Sequence, residues 1–390
     1  MKRLSLYIFL VLMLSFNINA SALDFMPANP PVHPEVVYKG VNEEQWKTID
    51  RIGDPLNCRK QVYSFQKLNR DKFFEINEND CINNKDCINE ALTKYDQIFL
   101  RQGTYRIGVE GIRLKNKILS GYPGEIIIIN AQDSPTGVTM NNSILSNLII
   151  QNSGNIGIRI VQNNLIYRIV VGNTGVYWRA STRGIGFEQD GRYAATGNCV
   201  VSAEAYNGFN HMFGLGQKCK GCSADGFDVK HNASNATFID AHGHHNSDHG
   251  FDFYNGGNLF SPIRPVIRVF YSSAKKQRNF LRSGGDNGGW KLDGEPQQYD
   301  KVFELSRLIY GSVACSNPKT GFVKPGKTQL IFMGNQSTGN KHNAKSGKSN
   351  KKTTLKRMGN KKVDDPYILK CKDLKKVKKF RSFDIPIDLK

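Results

Sequence analysis

Residues able to do chemistry are concentrated between Cys222 and Gly294, in copies of a short phrase. The phrase consists of a glycine, an apolar residue, a charged residue and a second apolar residue, and three copies align on their glycine. These copies are Gly226-Phe227-Asp228-Val229, Gly250-Phe251-Asp252-Phe253 and Gly289-Trp290-Lys291-Leu292. Alternation with a period of two predicts half-buried strands whose charged side chain faces outwards. Strands stacked about 4.8 Å apart would place Asp228, Asp252 and Lys291 in one outward column.

More ionisable residues precede the glycines of the first two copies. Asp225 stands directly before Gly226, and Asp248 and His249 stand before Gly250. Carboxylates this close together repel one another unless a cation lies among them. Oxygen ligands from several flexible carboxylates favour calcium. We therefore predict a calcium site formed by the acids at 225, 228, 248 and 252.

The phrase recurs on both sides of this segment. Further copies are Gly157-Ile158-Arg159-Ile160, Gly184-Ile185-Gly186-Phe187 and Gly321-Phe322-Val323-Lys324, and Gly208-Phe209 is a weaker one. Successive glycines are 27, 24, 18, 24, 39 and 32 residues apart, mostly within the range of solenoid repeats. A single coil cannot bury its apolar face, and stacking coils builds one continuous core. The sequence thus predicts an all-β fold, a parallel β-helix, with a β-sandwich as the alternative.

Short strands account for nearly all regular structure predicted after residue 96, because apolar runs alternate there with turn residues. Asparagine tolerates the left-handed backbone of tight turns and can hydrogen-bond along a stack of coils. Asparagines between the predicted strands are Asn152, Asn155, Asn163, Asn164 and Asn173. Asp86 to Tyr95 has helical spacing, with Ile88, Leu92 and Tyr95 on one side. This short N-terminal capping helix would cover the open end of the solenoid.

Four regions are predicted along the chain. Residues 1–22 resemble a secretory signal peptide, with Lys2 and Arg3 before an apolar run and a small-residue cleavage pattern at Ala20-Ser21-Ala22. Residues 23–85 form a leader and N-terminal cap region, with an exposed leader as far as Tyr63, and residues 86–338 form the β-helix catalytic domain. Residues 339–390 form a basic C-terminal tail and cap. No other long apolar stretch follows the signal, so we expect a secreted or periplasmic protein with no membrane span after signal removal.

Eight cysteines are compatible with an exported protein held by disulfides. Eight cysteines allow 105 pairings, so the sequence leaves the connectivity open. Cys219 and Cys222, followed by His242, His244 and His245, imitate a zinc site. A second Cys-x-x-Cys pair and a regular histidine spacing are missing, so disulfides are favoured over zinc.

Positive charge is concentrated near the C-terminus. Residues 341–381 contain sixteen Lys or Arg and three Asp, a net charge of +13 out of +20 for the whole chain. A surface this basic indicates a polyanionic partner. The chain contains no recognised nucleic-acid module, so we expect no nucleic acid and favour an acidic polysaccharide. Residues 339–362 are equally compatible with a solvated tail.

These phrases together resemble family 9 of the polysaccharide lyases, the pectate lyase type with a right-handed parallel β-helix. The segments that carry the resemblance are Ala224-Asp225-Gly226-Phe227 with Lys230 shortly after, Asn246-Ser247-Asp248-His249-Gly250-Phe251-Asp252, and Gly289-Trp290-Lys291-Leu292. Residues 96–105 and 120–124 look like the family's opening coils, and the resemblance covers residues 86–340.

The resemblance implies calcium ligands at Asp225, Asp248 and Asp252, with Lys291 as the catalytic base. One departure is visible, because the family has a second aspartate where this chain has His249. Asp228, from the neighbouring rung, is the residue that we expect to restore the missing negative charge.

Lyase chemistry would use these residue types directly. Calcium on a uronate carboxylate acidifies the proton on C5 and stabilises the enolate-like transition state. Lys291 must be neutral to remove that proton, and we expect a nearby dication and partial burial beside Trp290 to lower its pKa. Arg278, Arg282 and Lys230 are candidate substrate-binding residues, with Lys275 and Lys276 as further cations on the same connection.

Two other functions remain open from the sequence. One is a non-catalytic β-helix protein that binds acidic glycan or a cell surface and has lost calcium chemistry through His249. The other is a hydrolase or epimerase on the same scaffold, for which a pair of carboxylates at glycosidase separation would be expected. We expect the protein to be a monomer.

Overall fold

The structure is a computed structural model that describes residues 39–175, 181–187, 195–208, 223–229, 234–253, 266–275, 277, 288–292, 306–324, 329–346 and 360–374. All of these residues belong to one compact unit, Glu35–Lys390. The α-helices of the described residues are α1 (Glu43–Ile52), α2 (Cys58–Gln66), α3 (Glu78–Cys81) and α4 (Cys87–Lys94). Short 3₁₀ helices span Arg70–Lys72 and Cys371–Leu374.

Strands make up most of the described chain. They are β1 (Phe74–Ile76), β2 (Gln97–Leu100), β3 (Gly103–Arg106), β4 (Ile112–Lys115), β5 (Ile118–Gly121), β6 (Ile127–Asn130), β7 (Thr136–Asn141), β8 (Ile144–Gln151), β9 (Ile156–Ile160), β10 (Leu165–Gly172), β11 (Ser181–Phe187), β12 (Thr196–Tyr206) and β13 (Ser223–Val229). They continue as β14 (Ser234–His244), β15 (Phe251–Asp252), β16 (Val266–Phe270), β17 (Ser273–Lys275), β18 (Trp290–Lys291), β19 (Ser306–Tyr310), β20 (Val313–Cys315), β21 (Thr320–Lys324), β22 (Gln329–Met333), β23 (Gln336–Thr338), β24 (His342–Ser346) and β25 (Asn360–Lys361).

The strands form two sheets, and the chain passes from one sheet to the other and back along its length. The first sheet runs in the order β1-β2-β5-β8-β10-β12-β14-β16-β19-β22-β25, with β3, β6, β17, β20 and β23 joined beside this path. The second sheet runs β24-β21-β18-β15-β13-β11-β9-β7-β4. Strands pair in parallel, as β10 does with β12 and β11 with β13. Alternation between two stacked parallel sheets confirms the predicted parallel β-helix and excludes the sandwich.

Long strands of the first sheet bend at one residue with a left-handed backbone. Arg168 has φ 54°, and Ser202 and Asp240 each have φ 52°. Pairing breaks at these positions, since Tyr167 pairs with Val201 and the next pair is Ile169 with Ala203. Other turns use asparagine, as predicted: Asn152, Asn163 and Asn173 all have positive φ. Asn164 does not have a positive φ. Its side-chain Nδ2 donates to Asn198 Oδ1 on the next coil at 3.0 Å.

The aligned glycines stack as one column in the second sheet. A Cβ on Gly184 would lie 2.7 Å from the Gly226 carbonyl oxygen, and one on Gly226 would lie 2.8 Å from that of Gly250. A Cβ on Gly289 would lie 2.7 Å from the Gly321 carbonyl oxygen. Close backbone approach therefore requires glycine at Gly184, Gly226 and Gly289. Gly208, the weaker copy, lies outside this column, because Gly184 packs directly on Gly226.

Replacing Gly184 by alanine should destabilise the fold by about 1–3 kcal/mol, because the new methyl group would overlap backbone of the next coil. Gly186, two residues along the same strand, is a matched control. A Cβ there would meet the flexible side chain of Arg183 at 3.0 Å, so Gly186→Ala should change stability little. Chemical denaturation of both variants measures the difference, and equal stabilities would show that the glycine column does not set the stacking.

Aromatic rings fill the core behind the phrase. Phe227 and Phe251 stack with ring centroids 4.6 Å apart, and Phe251 and Trp290 stack at 3.9 Å. The Trp290 indole N–H donates to the Val313 carbonyl oxygen at 3.0 Å, which satisfies its polar atom in the interior. Inward aromatic residues thus fix the outward direction of the charged residues between them.

Helices α1 and α2 cover the outer face of the first sheet. Asn42 caps α1 in a capping box with Gln45, and Trp46 and Ile49 are buried. These side chains belong to one apolar cluster with Tyr167 and other outward residues of the first sheet. The expectation of an exposed leader therefore does not hold for residues 43–66, where amphipathic helices bury an apolar face. Residues 1–38, with the predicted signal peptide, lie outside the described residues.

The predicted capping helix is confirmed as α4. Ile88 and Leu92 are buried in the main core cluster together with Ile98 of the first coils. Tyr95, predicted on the same apolar side, is instead 40% exposed and stacks on Phe74.

Residues 360–374, here called the C-terminal segment, pack against the coils. Asp365 accepts hydrogen bonds from the hydroxyls of Tyr271 at 2.7 Å and Tyr310 at 2.9 Å. Leu374 is buried against Val313. These contacts attach the segment to the face of the first sheet.

Three disulfides join described residues, as expected for an exported chain. They are Cys58–Cys199, Cys81–Cys87 and Cys315–Cys371. The first holds α2 to the first sheet, and the third holds the C-terminal segment to β20. No helix among the described residues has the length and apolarity needed to cross a membrane.

Candidate metal and catalytic site

Strand register confirms the predicted outward column. Asp228 of β13 pairs with Asp252 of β15, and Asp252 pairs with Lys291 of β18. The Lys291 Nζ lies 3.2 Å from the Asp252 Oδ2. Lys291 is 22% exposed at its side chain, whereas both aspartates are buried. The stacked coils therefore bring an amine and two carboxylates onto one face of the second sheet.

The turn between β14 and β15 carries Asp248 and His249 and is held by side-chain amides inside the coils. Asn246 Oδ1 accepts from the Gly208 backbone N–H, and the Asn246 N–H donates to Gln277 Oε1, each at 2.9 Å. The Asp248 N–H donates to the Ala224 carbonyl oxygen at 3.1 Å. The turn is thus fixed against β13, where Asp225 lies.

Three buried groups converge at this point: Asp225, His249 and Asp252. One ligand atom from each can be chosen so that all lie within 4.8 Å of one another. The His249 backbone N–H also donates to Asp225 Oδ1 at 3.0 Å. Two carboxylates and an imidazole fit a divalent cation, and the carboxylate oxygens suit calcium. The imidazole nitrogen is a donor that calcium accepts poorly, so His249 is the part of the set that fits least well.

Asp248 and Asp228 stand at the border of this cluster. Asp248 Oδ1 lies 3.1 Å from His249 Nδ1. Asp228 forms an ion pair with Arg183, which is one of its neighbours on β11. The Arg183 guanidinium therefore offsets the negative charge of Asp228. This pairing reduces the negative charge that Asp228 can contribute to the metal site one rung away.

Sequence reasoning missed the arginines of the preceding coils. Arg183 pairs in register with Asp225, and Arg159 stands in the column two rungs before Asp228, with Gly186 between them. A signal existed, because Arg183 directly precedes Gly184 as Asp225 precedes Gly226. The column is therefore bordered by positive charge on the side of the earlier coils.

Carboxylates dominate the titration of Lys291. Burial lowers the pKa of the Lys291 amine, but the Asp252, Asp225 and Asp248 carboxylates outweigh burial and leave the pKa raised. Burial therefore shifts the pKa of this amine in the expected direction, but the carboxylates make the net shift upward. A neutral Lys291 requires that the negative charge around it be offset by another cation.

His249 has the same electrostatic surroundings. Burial opposes its charged form, yet the Asp248 and Asp225 carboxylates raise the pKa of His249 well above its usual value. Its Nδ1 lies 3.1 Å from Asp248 Oδ1 and 3.4 Å from Asp225 Oδ1. An imidazolium at this place would supply positive charge to the acids.

The predicted substrate-binding residues Lys230, Arg278 and Arg282 lie outside the described residues, as do Lys276, Cys219 and Cys222. Lys275 is described, and its amine contacts the Leu374 carbonyl oxygen of the C-terminal segment. Lys275 thus has a structural contact in addition to any contact with substrate.

Comparison with known proteins gives one family and several solved structures. The model of the family described as Pel9A-like, right handed beta helix region matches residues 83–357. The fold of this family is a right-handed β-helix, which confirms the predicted handedness of the coils. No curated protein matches the chain.

The solved structures are similar at low identity. The crystal structure of pectate lyase Pel9A is 18% identical with a TM-score of 0.46, covering 63% of this chain and 61% of that one. A rhamnogalacturonan lyase is 16% identical with a TM-score of 0.41, covering 63% and 66%. An alginate lyase from Paenibacillus sp. str. FPU-7 is 15% identical with a TM-score of 0.44, covering 67% and 96%. The chain thus spans less than two thirds of the first two structures.

Proposed function

This chain belongs to the family of Pel9A-like right-handed β-helix regions, and from that membership we propose that it is a calcium-dependent polysaccharide lyase. Its substrate would be a uronate-containing polysaccharide such as pectate, cleaved by β-elimination. The residues proposed for this function are Lys291 as the base and Asp225, Asp248 and Asp252 as the cation ligands, with His249 and Asp228 beside them.

The observation that carries the proposal is the position of Lys291 in the column. Its amine lies 3.2 Å from Asp252, and Asp252 belongs to the buried cluster with Asp225 and His249. A base and a cation site therefore share one carboxylate. This arrangement suits a reaction in which a carboxylate of the substrate and the adjacent C–H bond are acted on together.

A bound calcium ion would supply electron withdrawal at the substrate carboxylate, which acidifies the proton on C5. Asp225, Asp248 and Asp252 would hold it with their oxygens, and Asp248 Oδ1 also lies 3.1 Å from His249 Nδ1. Arg183, through its pairing with Asp228, would keep the acidic cluster from carrying excess negative charge.

Lys291 would remove the C5 proton with its neutral Nζ. The electron pair of the C5–H bond forms the C4–C5 double bond, and the C4–O bond breaks with its pair on the leaving oxygen, which takes a proton from water. Lys291 keeps the C5 proton until solvent accepts it. The inward ring of Trp290 and the backbone pairing of β18 hold the Cα of Lys291 in place during this transfer.

Further parts of the proposal concern location and partners. We propose export to the cell exterior or periplasm, with a monomer acting on the polymer. Described disulfides such as Cys58–Cys199 support an oxidising compartment. Lys230, Arg278 and Arg282 remain proposed contacts for further carboxylates of the substrate.

Product analysis tests the reaction class. The purified protein would be incubated with several polyuronates, including pectate and alginate, and the fragments weighed by mass spectrometry. A lyase gives one end group that is lighter by a water molecule than the fragment expected from hydrolysis. Fully hydrated fragments would indicate a hydrolase, and intact polymer retained on the protein would indicate a binder.

One observation favours the non-catalytic alternative. His249 and Lys291 lie within 3.4 Å of the acidic residues around them, so the chain's own cations offset much of the acidic charge. A protein of this kind would bind acidic glycan through its basic surface and need no calcium.

A further inference from the structure

A cavity of about 540 Å³ lies on the other sheet from the column. Its walls come from helices α1 and α2, from residues 366–374 of the C-terminal segment and from the bend of strands β10, β12 and β14. Its volume is typical of sites that bind small ligands. Asp225, Asp252 and Lys291 all belong to the second sheet, so this cavity is a separate site.

The lining combines aromatic rings with positive charge. Trp46, Tyr167 and Tyr367 contribute rings, and Lys39 and Arg168 contribute cations. Among the described residues, the Arg168 guanidinium forms no hydrogen bond or ion pair and packs over the Tyr167 ring, 5.1 Å from its centroid. Aromatic faces suit the C–H faces of a pyranose ring, and a guanidinium suits a carboxylate.

The floor of the cavity is fixed by a buried network. Asp240 Oδ1 accepts from His242 Nε2 at 2.7 Å, and Asp240 Oδ2 accepts from the Gly40 N–H at 2.8 Å and from the Ser202 hydroxyl at 3.0 Å. His242 Nδ1 lies 2.6 Å from Ser273 Oγ. Ser273 does not line the cavity, so its hydroxyl is not placed to attack a ligand there. The Asp240-His242-Ser273 array instead holds the Asp240 and His242 side chains in the cavity floor. Several donors satisfy the Asp240 carboxylate, which reduces its repulsion of an anionic ligand.

Arg168 has a backbone conformation that is unusual for a long side chain. It lies at the left-handed bend with φ 54°, a conformation that asparagine and glycine adopt more readily than a long side chain. Asn147 fills the same bend one coil earlier, with φ 53°. Asparagine is thus a substitution that removes the guanidinium and keeps the backbone.

We propose that this cavity is a second binding site, for an acidic oligosaccharide, in which Arg168 pairs with a uronate carboxylate. The aromatic side chains contact the sugar rings. The choice of a uronate as the ligand of this cavity rests on the proposed lyase function. Binding in the cavity does not require that the protein cleave the ligand.

Calorimetric titration with oligogalacturonate tests the site. The parent protein carries Lys291→Ala to prevent cleavage, and a chelator removes divalent cations so that binding at the column is weakened. The parent should bind the oligosaccharide, and adding Arg168→Asn should weaken that binding by about tenfold, the loss expected for one charge-assisted pair. The unfolding midpoint should stay equal or rise, because asparagine accepts the left-handed bend.

Arg113→Asn is the matched control, because Arg113 is 70% exposed at its side chain and pairs with Glu110 at the surface. It removes the same charge and should change binding less than twofold. Equal effects of the two substitutions, equal binding of a neutral cello-oligosaccharide, or no binding by the chelated parent would each overturn the proposal. Failure of the lyase proposal would appear separately, as absence of elimination by the protein with Lys291 intact.

Discussion

Replacing Lys291 by alanine should slow elimination by about 10²- to 10⁴-fold, the usual contribution of a general base. The fold should persist, because Lys291 faces outwards and is 22% exposed, while its neighbours Trp290 and Leu292 fill the core. The rate would be followed by the ultraviolet absorbance of the C4–C5 double bond, with circular dichroism to check the fold.

Lys291→Arg is the matched control for charge. It keeps a cation beside Asp252, yet the guanidinium does not lose a proton at any pH used for enzymes. We expect elimination to be slowed to a similar extent in both variants, and the arginine variant to retain more stability. Substantial elimination by Lys291→Ala would assign the base elsewhere, and Lys230 is then the next candidate.

Replacing His249 by aspartate should raise calcium affinity by about 10- to 100-fold. His249 is buried beside Asp225 and Asp248, and the raised pKa of its imidazole favours positive charge at that place. The substitution exchanges a nitrogen donor for carboxylate oxygen and adds negative charge to the site. Without calcium the same change should lower the unfolding midpoint, because three neighbouring carboxylates then repel one another.

Calorimetric titration with calcium chloride measures the affinity of the parent and of His249→Asp. His249→Asn is the matched control, since it removes the imidazole but adds no charge, and it should give an intermediate affinity. Asp228→Asn tests the compensation predicted from the sequence, which the pairing with Arg183 limits. Equal calcium affinity in His249→Asp and the parent would mean that residue 249 does not face the cation.

The column could be predicted from sequence because two local rules define it. Glycine is required where coils approach most closely, as at Gly226 and Gly289, and alternation with period two then sets the direction of the next residues. Once the glycines are aligned, the register of Asp228, Asp252 and Lys291 follows. Gly208 shows the limit of this rule, because it matches the phrase in the sequence and yet lies outside the column.

Features that depend on distant contacts were not predictable in the same way. Helix α1 carries a local capping signal at Asn42 and Gln45, but its burial depends on outward residues of the first sheet more than a hundred positions later, such as Tyr167 and Val201. The pKa of Lys291 likewise depends on Asp225 and Asp248, which belong to the two preceding coils. Pattern reasoning identified burial as a cause of the shift, but the balance between burial and three carboxylates requires their positions.

Ultraviolet absorbance of a pectate solution tests whether the column around Lys291 performs cation-dependent elimination. The unmodified protein would be added with calcium, then an excess of chelator, and then fresh calcium. We expect absorbance from the C4–C5 double bond to rise, to stop rising when the chelator is added and to resume its rise when calcium returns. No rise in absorbance with calcium present, whether the polymer is hydrolysed or only retained, would contradict it.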